Sequence, residues 1–172
     1  MYRLGIDIGT AAVKLLLIDE NKTIITAWET LHHNQPSAAL KKGIGALGDF
    51  LTEKVAVGIT GANGLSFHKV LKDYDFFEDV PAIVEGTKLL VPSAHSIMEI
   101  GSQGSRFITQ IDKVPQFATN GHCAGGTGSF FEDQMSRLGL LLEDYSKLVE
   151  QATSVPRLSG RCAVFAKTDI IH

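Results

Sequence analysis

The first residues suited to chemistry are Asp7, Gly9 and Thr10, with Lys14 soon after them. A glycine in a tight turn lets backbone N–H groups approach phosphate oxygens closely. The Asp7 carboxylate, at the end of a predicted strand, is a suitable ligand for a hydrated Mg²⁺ ion that bridges phosphates. The same residues also fit a plain hairpin with an exposed aspartate. This segment by itself favours neither interpretation.

A second turn repeats the order of acid, apolar residue and glycine at Glu99 and Gly101, and continues through Ser102 and Gln103. Two such turns on opposite sides of a cleft are expected to clamp a triphosphate between them. Glu99 or Gln103 would then orient the attacking water. Taken alone, the second segment favours an ordinary hairpin, but the recurrence of the pattern supports phosphate binding.

The chain has two cysteines, Cys123 and Cys162. They are too few to hold a tetrahedral metal or an iron–sulfur cluster by themselves, so either they are inert or something outside the chain completes the site. Cys123 precedes a glycine-rich helix start, where unpaired N–H groups stabilise an anion. Cys162 is expected at the start of a strand. The alternative is two small buried hydrophobic residues. His122 is adjacent to Cys123, and adjacent side chains seldom bind one metal together. We therefore expect His122 to support a metal ligand without binding the metal itself.

The strands that position the first turn are predicted over residues 4–8, 13–18 and 23–30. Strand follows strand directly, which predicts an antiparallel meander. The middle strand is apolar on both faces and is expected to be buried on both. A helix capped by Ser37 follows, with one apolar face at Leu40, Ile44, Leu47 and Leu51. A strand over 54–60 and a helix over 81–90 complete this part.

The opening theme recurs after residues 91–93, which predicts two lobes, 1–92 and 93–172. The second lobe is expected to have strands over 96–100 and 105–111, helices over 129–138 and 143–152, and a last strand over 161–166. If the lobes match, the second is incomplete. We therefore expect the chain to be one piece of a longer polypeptide.

Composition excludes several classes of protein. The formal net charge is −3 without a basic stripe, which excludes nucleic acid as a partner. The chain has no run of about 18 apolar residues, so no membrane span is predicted. Its start does not show a charged segment followed by an apolar one, as a targeting leader would, and we therefore expect a cytoplasmic protein. Gly43, Gly45 and Gly48 match a dinucleotide fingerprint, but no strand precedes them, so no dinucleotide site is expected. His32 and His33 are expected in a solvated loop.

In their order along the chain, these motifs resemble the activator (component A) family of 2-hydroxyacyl-CoA dehydratases, to which benzoyl-CoA reductase ATPase subunits are related. The resemblance extends over nearly all 172 residues and is most specific in residues 120–130 and 162–166. The matching segments are 7–10, 61–64, Glu85, 99–106, 120–132 and 161–170.

The resemblance implies an α/β, ribonuclease H-like or actin-like ATPase fold with two lobes, the second truncated. It implies ATP or ADP with Mg²⁺ in the cleft and one [4Fe–4S] cluster shared by two protomers, either a homodimer or a fused pseudo-dimer. ATP hydrolysis would drive one low-potential electron into the dehydratase. The residues assigned are Asp7, Gly9, Thr10, Lys14, Gly101 and Ser102 for the nucleotide and Mg²⁺, Glu99 and Gln103 for hydrolysis, and Cys123 and Cys162 for the cluster.

The second turn departs from the family pattern, which usually reads aspartate, apolar residue, glycine, glycine, glutamine, aspartate, a small residue and lysine. Glu99, Ser102, Gly104 and Arg106 replace its first aspartate, second glycine, second aspartate and lysine. The longer Glu99 would place a water differently, which affects hydrolysis more than nucleotide binding. The family's adenosine-binding glycines would follow residue 172, so this chain alone is expected to bind nucleotide weakly and to be inactive.

Two other functions stay open. One is a non-hydrolysing pseudo-activator or interaction domain of a larger fused activase, which the altered turn at Glu99 favours. The other is a small-molecule kinase of the same superfamily. The kinase is the weaker alternative, because no sugar-binding insertion is apparent and a kinase has no use for Cys123 ahead of a helix.

Overall fold

The computed structural model describes residues 1–52, 54–69, 73–121, 123, 125–160 and 162–171. The chain divides into two compact units, Met1–Pro92 and Ser93–His172. Each unit is built on its own sheet. We call them the first and the second unit.

The first unit has a five-stranded sheet in the order β3-β2-β1-β4-β5. Its strands are β1 (Tyr2–Ile8), β2 (Ala12–Ile18), β3 (Ile24–Leu31), β4 (Val55–Thr60) and β5 (Asp75–Phe76). The first three are antiparallel neighbours, which confirms the predicted meander. β4 runs parallel to β1, and Asp7 is the register partner of Thr60. The residues that follow β1 and β4 therefore meet at one edge of the sheet.

The core of the first unit lies on one face of this sheet. It contains Leu4, Ile6, Ile8, Val13, Leu15, Leu17, Ala39, Leu40, Leu47, Ile59 and Phe67. Alternation along the strands puts Asp7, Lys14 and Leu16 on the other face, where Leu16 is 38% exposed. The expectation that β2 is buried on both faces is wrong, because α1 packs against the core face and leaves Leu16 accessible.

Helix α1 (Pro36–Ala46) covers the core face. Pro36 is its first residue, and Gln35 is the N-cap without a side-chain hydrogen bond. The predicted Ser37 cap is wrong, since a proline with its fixed φ starts the helix two positions earlier than that cap would. The predicted apolar face is confirmed for Leu40 and Leu47, which are buried, and for the half-buried Ile44. The Leu51 side chain lies outside what the structure describes.

Gly43 has a packing role in α1. A Cβ at this position would stand 2.5 Å from Trp28 Cζ3 and closer still to Leu15 Cδ1. The glycine therefore permits the close approach of helix and sheet. This contact accounts for Gly43, whereas a Cβ on Gly45 would meet nothing within 4 Å.

The rest of the first unit consists of short turns and one helix. 3₁₀ turns span Gly48–Thr52 and Gly64–Lys69, and α2 spans Asp79–Leu90. The helix begins earlier than predicted, with Asp79 in its first turn, where a negative charge is favourable.

The second unit has a three-stranded antiparallel sheet of β6 (Ser96–Ile100), β7 (Ser105–Thr109) and β8 (Gln116–Thr119). Strand β8 was not predicted, because all four of its residues are exposed and show no alternation of buried and exposed positions. The helices are α3 (Gly128–Arg137), α4 (Tyr145–Glu150), which follows a 3₁₀ turn at Leu142–Asp144, and α5 (Ala163–Ile171).

The predicted strand over residues 161–166 is wrong, since α5 occupies most of this segment. The Ala166 N–H donates to the Cys162 carbonyl at 2.9 Å, and the Thr168 hydroxyl donates to the Val164 carbonyl at 3.2 Å. A short apolar run is compatible with either element, and here local hydrogen bonds satisfy its backbone. Residue 161 lies outside the described residues.

Within the described part of the chain, every helix is too short or too polar to cross a bilayer.

Candidate functional site

The first candidate turn joins β1 and β2 in the first unit. The Gly9 N–H donates to the Ala12 carbonyl at 3.0 Å and closes the turn, while Thr10 is exposed at its tip. Asp7 and Lys14 are register partners, and Asp7 Oδ2 lies 3.9 Å from Lys14 Nζ. All four residues proposed from the sequence for this turn are therefore together at one edge of the sheet.

Gly61, directly after β4, lies close to the Asp7 carboxylate. Its φ is +97°, and a Cβ would stand 2.5 Å from the Ile8 carbonyl carbon and oxygen and closer still to Asp7 Oδ1. The Gly61 N–H donates to Asp79 Oδ1 at 3.0 Å, and the Thr60 hydroxyl donates to the same oxygen at 3.3 Å. Only glycine fits here, because both the backbone conformation and the space exclude a side chain.

The charge on Asp7 is held in an unfavourable environment. Burial raises the pKa of Asp7 above its usual value, the Lys14 ammonium opposes this, and the neighbouring Asp79 adds to it. The Asp7 carboxylate therefore lies near a second carboxylate, that of Asp79, and near the Lys14 ammonium group. A site with this excess of negative charge is suited to a cation.

Two residues that the sequence did not single out hold the backbone of this turn. Asn63 Nδ2 donates to the Gly9 carbonyl at 2.8 Å, and His32 Nε2 lies 3.2 Å from the same oxygen. The expectation that His32 lies in a solvated loop is wrong, since it is 6% exposed, while its neighbour His33 is exposed. Asn63 lies inside a segment that the family resemblance marked, whereas His32 carries no signal in the sequence.

The second candidate turn joins β6 and β7 in the second unit. The Gly101 N–H donates to the Gly104 carbonyl at 2.8 Å, and Gln103 is exposed. Glu99 Oε2 lies 3.3 Å from Arg106 Nε, its register partner. This contact is an ion pair by distance, and among the described residues the buried Oε2 atom has no hydrogen-bond partner. The Glu99 carboxylate, the candidate group for hydrolysis, is thus paired with the Arg106 guanidinium.

The start of α3 is attached to this turn. The Gly128 N–H donates to the Gly101 carbonyl at 2.7 Å, and the Ser129 N–H donates to the Ser102 carbonyl at 3.1 Å. A Cβ on Gly128 would stand 3.2 Å from the Gly101 oxygen, which explains the glycine at the first helical position. The turn and the helix N-terminus therefore form one rigid group of backbone atoms.

The two cysteines of the second unit are free, with Cys123 exposed and Cys162 half-buried. Gly125 lies between their segments, because a Cβ on it would stand 3.5 Å from both Cys123 Sγ and Ala163 Cβ. These two atoms are therefore separated by no more than twice that distance. The Gly125 N–H also points at Cys123 Sγ, at 3.4 Å.

Both cysteines precede helices. Cys162 directly precedes α5 instead of starting a strand, and Cys123 precedes the start of α3. Among the residues that the structure describes, no three His, Cys, Asp or Glu side chains are grouped to hold a metal ion. His122, expected to support a metal site, lies outside the described residues.

An ion-pair network joins α3 to α5. Asp133 contacts Lys167 of α5, and its Oδ2 lies 3.3 Å from Arg137 Nε. The hydrogen bond from Lys167 is the main reason that the pKa of Asp133 lies below its usual value. The network holds the helix that follows Cys162 against the helix that follows Cys123.

Comparison with known proteins gives a consistent result. The model of the BadF/BadG/BcrA/BcrD ATPase family matches residues 4–172. The activator of lactoyl-CoA dehydratase from Anaerotignum propionicum is 32% identical over 177 residues, which cover 99% of this chain and 67% of that protein. The (R)-2-hydroxyglutaryl-CoA dehydratase activating ATPase from Acidaminococcus fermentans is 25% identical, over 99% of this chain and 66% of that protein.

Among solved structures, the activator of the 2-hydroxyisocaproyl-CoA dehydratase from Clostridium difficile with bound ADPNP has a TM-score of 0.82 at 22% identity. The match covers 99% of this chain and 65% of that chain. It confirms the predicted actin-like ATPase fold. The chain spans about two thirds of the length of these relatives.

Proposed function

The chain belongs to the BadF/BadG/BcrA/BcrD ATPase family, and from this premise we propose that it acts as an ATP-hydrolysing activator of a 2-hydroxyacyl-CoA dehydratase-type enzyme. Relatives named as activators of such dehydratases support this function. The proposal concerns the activity of the whole protein, which we expect in the cytoplasm. The observation that carries it is the placement of Cys123 beside the helix that follows Cys162, because a kinase of this fold has no use for it.

Nucleotide binding is assigned to the two turns. In the first unit, Asp7 would hold Mg²⁺, and Gly9, Thr10 and Lys14 would contact phosphate. The fit to Mg²⁺ rests on the half-buried Asp7 carboxylate, whose pKa is raised by burial and by Asp79 against a single Lys14 ammonium. Carboxylate oxygen is the ligand that Mg²⁺ prefers, and the ion bridges phosphate oxygens.

In the second unit, Gly101 and Ser102 would contact phosphate, and Glu99 or Gln103 would orient the attacking water. The hydrogen bonds from the start of α3 to the Gly101 and Ser102 carbonyls support a preorganised turn. A preorganised backbone needs little rearrangement when phosphate binds.

Calorimetry with Mg–ATP on the full-length protein tests the nucleotide assignment. Asp7→Ala should abolish binding, because it removes the Mg²⁺ ligand. Asp112→Ala is the matched control, since Asp112 is an exposed aspartate of the second unit, and it should leave binding unchanged. If the unsubstituted protein and the Asp7→Ala variant bind Mg–ATP equally, Asp7 is not part of the nucleotide site.

Cys123 and Cys162 are assigned to a [4Fe–4S] cluster completed by the same two residues of a second copy or of a fused second domain. A cubane needs four thiolates and each chain has two. The fit rests on two free thiols in one unit, each ahead of a helix N-terminus, since the positive ends of helices favour an anionic cluster. When bound, such a cluster supplies a one-electron store at low potential. A shared cluster on a two-fold axis makes the contact isologous.

Anaerobic reconstitution of the full-length protein tests the cluster. We expect about four irons per dimer, and a sharp fall in iron with either Cys123→Ser or Cys162→Ser. Gel filtration should show that dimer formation weakens together with iron content. Iron content that is insensitive to both variants would refute the cluster assignment without affecting nucleotide binding.

A second function is favoured by one observation. Glu99 replaces the aspartate of the family pattern, and its longer side chain would place the attacking water differently. This departure supports a non-hydrolysing pseudo-activator within a fused activase. Single-turnover measurements with Mg–ATP distinguish the two functions, because a pseudo-activator binds the nucleotide without releasing phosphate.

A further inference from the structure

The turn between β1 and β2 has three of its carbonyl groups held by two residues from elsewhere in the first unit. The Asn63 N–H donates to the Ile8 carbonyl at 2.9 Å, and the His32 N–H donates to the Ala11 carbonyl at 2.9 Å. The side chains of both residues converge on the Gly9 carbonyl, at 2.8 Å from Asn63 Nδ2 and 3.2 Å from His32 Nε2. A glycine-containing turn would otherwise be among the most flexible parts of the sheet edge.

The tautomer of His32 follows from its neighbours. The Asn34 N–H donates to His32 Nδ1 at 3.1 Å, so Nδ1 acts as an acceptor. The proton of a neutral imidazole is then on Nε2, which donates to the Gly9 carbonyl. The ring is 6% exposed, so water offers it little alternative and its position is fixed.

A held carbonyl also fixes the direction of the next N–H group. The peptide bond is planar and trans, so the C=O of Gly9 and the N–H of Thr10 point in opposite directions. With the Gly9 carbonyl turned toward His32 and Asn63, the Thr10 N–H is directed away from them. The Ile8 carbonyl, one residue before, is likewise engaged by a donor, the Asn63 N–H.

From this geometry we infer that His32 and Asn63 are positioning residues for phosphate binding by the turn at Gly9 and Thr10. The inference rests on the proposed nucleotide binding and extends it to two side chains that touch neither phosphate nor Mg²⁺. The two residues act through the backbone of the turn, with the Gly9 carbonyl as their common acceptor.

The test compares His32→Leu with His32→Gln in the full-length protein, with Mg–ADP as the probe in calorimetry. Leucine removes the donor, and binding should weaken about fivefold, the typical effect of one lost hydrogen bond. The Gln amide nitrogen reaches the position of Nε2, and this variant should restore most of the affinity. Asn63→Ala should weaken binding similarly, and His33→Gln, at the exposed neighbouring histidine, should not.

A second readout separates positioning from general stability. In amide NMR spectra, Mg–ADP should shift the Thr10 N–H of the unsubstituted protein and of His32→Gln, and shift it less in His32→Leu. Equal Mg–ADP affinity and equal Thr10 shifts in His32→Leu and the unsubstituted protein would overturn the positioning role. Equal loss of affinity in the Leu and Gln variants would also overturn it, because packing would then be the cause.

The positioning role can fail without the proposed function. If the unsubstituted protein binds Mg–ADP and Asp7→Ala abolishes this binding while His32→Leu and Asn63→Ala do not weaken it, the positioning role alone is refuted. If the unsubstituted full-length protein binds no Mg–ADP, the proposed nucleotide site is refuted and the positioning role with it.

Discussion

Replacing Gly61 by alanine tests whether the backbone beside Asp7 is as closely built as the structure indicates. Gly61 has a φ of +97°, and its missing Cβ would stand 2.5 Å from the Ile8 carbonyl carbon and oxygen. These two atoms belong to the main chain of β1, which cannot move aside as a flexible side chain can, and the third near atom is Oδ1 of the Asp7 side chain. The substitution should therefore affect both stability and the position of the Asp7 carboxylate.

The expected loss has two parts. A left-handed conformation costs a residue with a Cβ about 1–2 kcal/mol, and overpacking typically costs about 1–3 kcal/mol more. Together they predict a decrease of about 2–5 kcal/mol in the free energy of unfolding of the first unit. Because Asp7 Oδ1 is the atom nearest to the new methyl group, affinity for Mg–ATP should fall as well.

Urea unfolding followed by tryptophan fluorescence measures this loss. Trp28 is the one tryptophan of the chain and lies half-buried on β3, so its emission follows the first unit. Gly86→Ala is the matched control, because its Cβ would meet open space within α2, and it should raise stability by about 1 kcal/mol through helix propensity. An unfolding midpoint for Gly61→Ala equal to that of the unsubstituted protein would refute the close approach.

Two further substitutions have defined outcomes. Asp7→Asn should raise the Tm at pH 7, because burial and Asp79 raise the pKa of Asp7 and stability is then lost as pH rises through that pKa. The gain should shrink as the pH falls and vanish below about pH 3, where the carboxyl is mostly neutral in both the folded and the unfolded state, and a Tm unchanged at pH 7 would contradict it. Gly43→Ala should lower the free energy of unfolding by about 1–3 kcal/mol through its contact with Leu15 and Trp28, with Mg–ADP affinity unchanged. Urea unfolding and calorimetry measure these two quantities, and undiminished stability would refute the packing role.

The relation between local pattern and structure is clearest in the strands. Alternating apolar residues placed β1 correctly, because such alternation reflects a sheet with one covered face. The apolar run over residues 13–18 placed β2, although only one of its faces is covered. The helical spacing of Leu40, Ile44 and Leu47 likewise placed α1. The same reasoning failed for the exposed strand β8 and for α5, whose short apolar run fits either type of element.

The candidate site was predictable to the extent that its groups are neighbours in the sequence. Asp7, Gly9, Thr10 and Lys14 share one hairpin, so the acid–glycine pattern could be recognised from the chain alone. The pairing of Glu99 with Arg106 was not predicted, since it depends on the register of β6 with β7.

The sequence by itself determined the meander, the two turns and the supply of only two thiols per chain, because these depend on residue types at short spacing or on simple counts. Tertiary structure decided that His32 is buried, that Gly61 closes on Asp7 and that Asn63 holds the turn. Asn63 and Gly9 are 54 positions apart, and His32 and Gly9 are 23 apart. Contacts over such distances arise only when β3 pairs with β2 and β4 pairs with β1, since no local pattern records which donor reaches which carbonyl.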